Sequence, residues 1–330
     1  MQFCVQQEPD TRAPQIIGTN PAQGSYITYG VDKIENFQVF TNEPAECKWD
    51  TKRVSFSDMT YTFSRCSQNL NNPLVEFDSG CQDNLTQFKN GVENKYYIAC
   101  KDHPELKGTA ENKRNTMRPY EVVLIGTRRL LITNVRINEK PNNSLIIGPE
   151  ENVNVKIEVE TFGGAEDGKA RCMYSTNGGV DYSLFSNEGS REYSTINTET
   201  LSMPPEKYKL FIQCFDIAAP IPNLNTTMIN FTVQTDNTAP TVVRVYRDED
   251  TNALKLITNE VAECVYTTSG CTYLLEEGNL METEDGLEHY VEWDPTNDFY
   301  IKCKDEFNHY PADGQCSLIA RPFEIAEVVQ

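Results

Sequence analysis

Thr41-Asn42-Glu43-Pro44-Ala45-Glu46-Cys47 recurs as Thr258-Asn259-Glu260-Val261-Ala262-Glu263-Cys264. A chain that writes one block twice is built from structural repeats, so both copies must reach the same local fold. An alternating apolar run leads into each copy, Phe37/Val39/Thr41 and Leu254/Leu256/Thr258, and an aromatic follows each cysteine by two positions, Trp49 and Tyr266. Period 2 on both sides of a corner reads as strand, tight turn, strand. Each copy then reaches a second block, Tyr96-Tyr97-Ile98-Ala99-Cys100-Lys101-Asp102 and Phe299-Tyr300-Ile301-Lys302-Cys303-Lys304-Asp305. Eighteen positions after that cysteine stand Arg118-Pro119-Tyr120-Glu121 and Arg321-Pro322-Phe323-Glu324.

A more diverged copy fills the middle. Val153/Val155/Ile157/Val159 alternate like the lead-in strands, Ala170-Arg171-Cys172-Met173-Tyr174 matches Ala45 to Trp49, and Tyr208 to Asp216 is the late block. No run has a helical period, and Asn/Gly/Asp/Pro clusters separate the short strands. This predicts an all-β chain, three tandem antiparallel β-sandwiches of about 100 residues each, with almost no helix. The boundaries fall at 10–126, 127–235 and 236–330, with 1–9 as an N-terminal extension. Asp10-Thr11-Arg12-Ala13-Pro14 and Asp236-Asn237-Thr238-Ala239-Pro240 are near copies and mark domain starts.

With 49 Asp+Glu against 29 Lys+Arg, the chain has no basic stripe to displace counterions from phosphates, which argues against nucleic acid. No apolar run approaches the ~20 residues of a membrane span, and residues 1–25 hold no signal-peptide core, so an export signal or anchor is expected outside this chain. Eleven cysteines without CxxC or CxxH spacing favour disulfides over metal, and so a secreted protein. The repeat pairs Cys47 with Cys100, Cys172 with Cys214 and Cys264 with Cys303. Elimination then pairs Cys66 with Cys81 and Cys271 with Cys316, and leaves Cys4 unpaired or intermolecular. The first domain's excursion between its paired cysteines is the longer one and reads as a disulfide-pinned loop insertion. The third domain is expected to end on a strand from Phe323 to Val329.

Apolar strand, T-N-E-x-A-E-C, aromatic strand with C-K-D, and D-x-T-A-P linker together resemble the immunoglobulin-like or fibronectin-like repeats of secreted archaeal and bacterial surface proteins. The resemblance covers Asp10 to Gln330 and implies a stalk, adhesin or filament subunit with no catalytic chemistry. The chain departs from a true immunoglobulin domain in that its first cysteine follows the corner, and two of three units lack the tryptophan.

Asp102, Asp216 and Asp305, each two residues after a late cysteine, are candidate metal ligands, but aspartate at a strand end more commonly caps the next turn. Asp248-Glu249-Asp250 and Glu282, Glu284, Asp285 and Glu288 lack the spacing and glycine of a calcium loop and read as solvated faces. No cofactor is expected; calcium, if present, belongs at Asp236-Asn237 by a domain junction. His103, His289 and His309 offer no catalytic motif, and His103 and His309 are expected in the same surface turn. Sequons stand at Asn84, Asn142, Asn225 and Asn230. Met1, Phe3 and Val5 alternate apolar and polar ahead of the first domain, as a strand donated to a neighbouring copy would. Two classes follow: a structural subunit polymerising with copies of itself, or a surface module binding carbohydrate or another protein.

Overall fold

The computed structural model describes residues 11–67 and 79–324. Among these residues β-strand is the dominant regular structure, accompanied by six short 3-10 helices and no α-helix. Six sheets make three immunoglobulin-like β-sandwich domains. The chain forms two compact units, residues 1–144, 156–201 and 208–231, and residues 145–155, 202–207 and 232–330.

The first unit opens with the sheet Ile16–Asn20, Ile34–Thr41, Ser79–Leu85, Arg65–Ser67, and the sheet Tyr26–Ile27, Tyr120–Gly126, Glu93–Asp102, Ala45–Asp50, Tyr61–Thr62. Their alternating inward residues, among them Phe37, Val39, Trp49, Tyr96, Ile98, Val122 and Leu124, make one core. Each large side chain so buried contributes about 1.5–3 kcal/mol. Trp49 stacks on Tyr61 with ring centroids 4.1 Å apart and meets the edge of Tyr96 at 5.7 Å. In the same unit Leu131–Ile137 pairs antiparallel with residues 157–162, and Arg171–Ser175 lies between residues 211–215 and Ser183–Leu184. Val153–Phe162 buries every second residue, as its sequence alternation requires.

The second unit contains Leu145–Gly148, paired parallel with Thr232 to Thr235, and the third domain. That domain has the sheets Val242–Asp248, Ala253–Thr258, Glu288–Glu292, Glu282–Thr283 and Asn279–Leu280, Glu263–Thr267, Phe299–Lys304, Leu318–Ala320 around Leu254, Leu256, Met281, Phe299 and Ile301.

The repeated Thr-Asn-Glu block earns its identity at the corner. Thr41 Oγ1 donates to Glu43 O at 2.8 Å and to Ser79 O at 3.1 Å; Thr258 Oγ1 donates to Glu260 O at 2.7 Å and to Leu287 O at 3.2 Å. Asn42 Oδ1 accepts from Gln15 N at 2.6 Å, and Asn259 Oδ1 from Thr241 N at 2.7 Å. A hydroxyl therefore closes the turn and reaches the next strand, while the amide holds the domain's first strand.

Two expectations are corrected. The excursion between Cys47 and Cys100 is not merely a loop: its later part, Ser79–Leu85, is a central strand in which Cys81 is fully buried. The closing strand of the third domain is Leu318–Ala320, while Phe323 lies in the 3-10 helix Pro322–Glu324, 70% exposed. Ile98 faces Tyr120 in the first domain, but its counterpart Ile301 faces Leu318. The bridge from Cys271 to Cys316 sets Ser317 against this strand, its N–H donating to Ile301 O at 2.8 Å and its Oγ accepting from Cys303 N at 2.9 Å. Residues 325–329 of the expected strand lie outside the described residues.

Candidate functional site

The structure joins Cys47 to Cys100, Cys172 to Cys214 and Cys264 to Cys303, and also Cys66 to Cys81 and Cys271 to Cys316. The first three pairs are direct register partners on neighbouring antiparallel strands of one sheet. An immunoglobulin disulfide instead crosses between sheets. Cys4, with Met1, Phe3 and Val5, lies outside the described residues.

The aspartate after each late cysteine is nearly or wholly buried, at 0%, 0% and 6% exposure for Asp102, Asp216 and Asp305. Asp102 accepts from Asn115 N and from Asn115 Nδ2 at 2.8 Å. Asp216 accepts from Ala218 N at 3.0 Å, Asn223 N at 2.8 Å, Ala165 N at 2.7 Å and Asn223 Nδ2 at 2.7 Å. Asp305 Oδ1 accepts from Phe307 N and His309 N, both at 2.8 Å, and its Oδ2 meets His309 Nδ1 at 2.7 Å. All three carboxylates cap a turn, and their burial is offset by these donors. Gly164 belongs to the same device, because at its φ of +65° a Cβ would stand 2.6 Å from Asp216 Oδ2.

Asn223 carries the cap on to the start of its own domain and to the first domain. Its Nδ2 also donates to Thr127 Oγ1 at 3.0 Å, and its Oδ1 accepts from Tyr29 N at 2.7 Å. Beside it Ala219 N donates to Tyr26 O at 2.8 Å and Thr28 N to Ala219 O at 3.0 Å, so the loop after Cys214 adds to the short strand Tyr26–Ile27. The first and second domains thus share backbone hydrogen bonds, a link no local motif in the sequence announces.

At the start of the third domain Asp236, Asp305 and His309 converge, one ligand-type atom from each lying within 4.8 Å of the others. Asp236 Oδ1 accepts from Thr238 N at 3.2 Å and Thr238 Oγ1 at 3.1 Å. Glu260, from the repeated corner block, interacts electrostatically with Asp236. Burial and then the neighbouring Asp236 carboxylate push the Glu260 carboxyl up. Burial also opposes ionisation of Asp236, but the Thr238 amide and the neighbouring Glu260 outweigh it and hold that carboxyl low.

His103 and His309 do not share a role: His103 pairs with Glu105 at 2.8 Å at the head of a 3-10 turn, whereas His309 lies in the Asp305 cap. The two C-K-D blocks are followed by different loops, which separates them. His289 is fully buried, with Nε2 on Gly286 O at 3.1 Å and no hydrogen-bond partner for Nδ1 among the described residues. Burial pushes its imidazole below 6.5. The unfolded chain therefore binds a proton that the native chain refuses, so stability is lost as pH falls through about 6.5. Urea midpoints measured from pH 7.5 to 5 should drop across that window, and His289→Gln should flatten the drop; an equal slope in the variant counts against this account.

The acidic runs act locally. Asp248 pairs with Lys255 Nζ at 2.7 Å, which holds its carboxyl down at about 2, and Asp285 Oδ1 accepts from Leu287 N and Glu288 N, both at 2.9 Å. Among the sequons, Asn84 and Asn142 are exposed; Asn225 and Asn230 are half-buried, and Asn225 Nδ2, the atom a glycan would use, donates to Leu130 O at 2.9 Å.

No protein-family model matches the chain, and no curated protein matches it. Among solved structures it is similar to a three-immunoglobulin-domain segment of titin, I67–I69, at 9% identity, covering 92% of this chain and 96% of that one with a TM-score of 0.35. It is also similar to FN1–FN3 of chicken CNTN1, at 10% identity over 92% of this chain and 100% of that one, TM-score 0.34. A third is the fibronectin(III)-like modules of Clostridium thermocellum CbhA, at 9% identity over 67% and 94%, TM-score 0.34. The chain has the sandwich fold and carries disulfides, and no helix among the described residues is long and apolar enough to cross a membrane.

Proposed function

We propose that the chain is a structural segment of an extracellular filament or surface stalk, of the secreted archaeal or bacterial kind its repeats resemble, with domains at 10–126, 127–235 and 236–330. The observation that supports this is the shared hydrogen bonding of the first two domains, from Tyr29 N to Asn223 Oδ1 and from Thr127 Oγ1 to Ile27 O. A module that only tethers neighbours needs no such seam; one that transmits load does. In this reading residues 1–7 are a donated strand, adding to a sheet edge of the next copy and burying Met1, Phe3 and Val5. Head-to-tail repetition of that contact gives an open chain. Deleting residues 1–7 should abolish polymers in negative-stain images while leaving thermal unfolding of the monomer unchanged; persistence of polymers defeats the donor-strand reading.

A second reading has its own observation. Tyr29, Thr127, Arg128, Arg129, Leu131 and Phe162 line a groove of about 500 Å³, and Tyr29 and Phe162 are 48% and 54% exposed. Aromatic faces beside guanidinium groups suit carbohydrate or an acidic protein surface. A ligand whose binding is lost in Phe162→Ala, with polymerisation absent, would favour an adhesin over a filament subunit.

A further inference from the structure

The carboxylate after the late cysteine is closed by an asparagine in the first and second domains and by a histidine in the third. Asn115 covers Asp102 through its N–H and side-chain amide, and Asn223 does the same for Asp216. On Asp305 the oxygen that such an amide would cover meets His309 Nδ1 instead, at 2.7 Å. An amide can only complete the turn, whereas an imidazole nitrogen is also a metal ligand. At the same place the linker delivers a second carboxylate, Asp236. The Asp305 side chain is 3% exposed and that of His309 24%, so this is not a solvated acidic face. Among the described residues no lysine or arginine forms an ion pair with Asp236 or Asp305; the adjacent Lys304 pairs with Glu263 instead.

We propose that Asp236, Asp305 and His309 form a divalent transition-metal site that takes Zn²⁺. Zinc accepts mixed imidazole and carboxylate donors at about 2.0–2.2 Å, which in a tetrahedron lie about 3.4 Å apart. Donor atoms already within 4.8 Å of one another reach that spacing by small side-chain rotations. Calcium is the poorer fit, since it requires six to eight oxygens and leaves the imidazole unused. Bound there, the ion fastens the linker residue Asp236 to the turn that follows Cys303.

The test uses the full chain stripped with EDTA and titrated calorimetrically with ZnCl₂ and, separately, CaCl₂. One equivalent of Zn²⁺ should bind, Asp236→Asn and His309→Gln should each weaken it at least tenfold, and Ca²⁺ at the same concentration should bind more weakly than Zn²⁺. Circular dichroism establishes that the variants fold. Co²⁺ added to the unmodified chain should give the intense visible bands of a four-coordinate site, a readout independent of any substitution. Absent Zn²⁺ binding, unchanged affinity in both folded variants, tighter Ca²⁺ binding, or weak octahedral Co²⁺ bands would each overturn the assignment.

Discussion

Replacing Cys47 and Cys100 together with alanine is expected to lower the stability of the first domain by about 4 kcal/mol. The bridge closes a segment of sequence separation 53, and cross-linking a loop of that size removes about this much free energy from the unfolded chain's conformational entropy. Both residues are fully buried, so the small void left by two sulfurs adds to the loss. Cys66 and Cys81 close a separation of only 15, and their removal should cost nearer 3 kcal/mol by the same reasoning. Urea denaturation followed by Trp49 fluorescence measures both, because Trp49 sits in the core of this domain. If the shorter bridge proves the costlier of the two, loop closure is not what these disulfides supply.

Asp216→Ala should be comparably damaging, at roughly 3–5 kcal/mol. It strands four N–H donors, on Ala165, Ala218 and twice on Asn223, and each buried donor left unmet costs about 1–3 kcal/mol, less where water enters. Asp216→Asn keeps one acceptor oxygen and should recover part of the loss. The effect should also travel: Asn223 positioned by Asp216 is what holds Thr127 and Tyr29, so amide exchange at Tyr29 in the first domain should quicken along with that at Ala165 and Ala218. A loss under about 1 kcal/mol, or an undisturbed Tyr29 amide, would show that the cap is redundant.

The strands, the corner and the position of the buried aspartates were legible because each rests on local chemistry. Alternation buries one face, Thr41 and Thr258 close their own turns two residues on, and an aspartate at a strand end finds amides in the turn that follows. What the sequence did not disclose lies between segments far apart in the chain. Nothing near Asn223 identifies Thr127 and Tyr29 as its partners, and the C-K-D alignment sets His103 beside His309 although only the latter reaches its aspartate. The last strand went astray for the same reason. Arg321-Pro322-Phe323 copies Arg118-Pro119-Tyr120 in letters, but the register of the third domain is set around Ser317 and the tie from Cys316 to Cys271.

Because each late cysteine is bridged to its own register partner, tension applied along the chain meets a covalent shortcut in every domain. The separations of 53, 42 and 39 residues are removed from the length that can be drawn out. At about 3.4 Å per extended residue these correspond to roughly 180, 140 and 130 Å of slack withheld from the pull. In the third domain the spans 264–303 and 271–316 interlock, so the second bridge holds in reserve what the first does not. A domain that loses its sheets to a shearing force therefore lengthens by that much less than an unbridged one, and the extension it keeps comes from the segments outside the bridged spans.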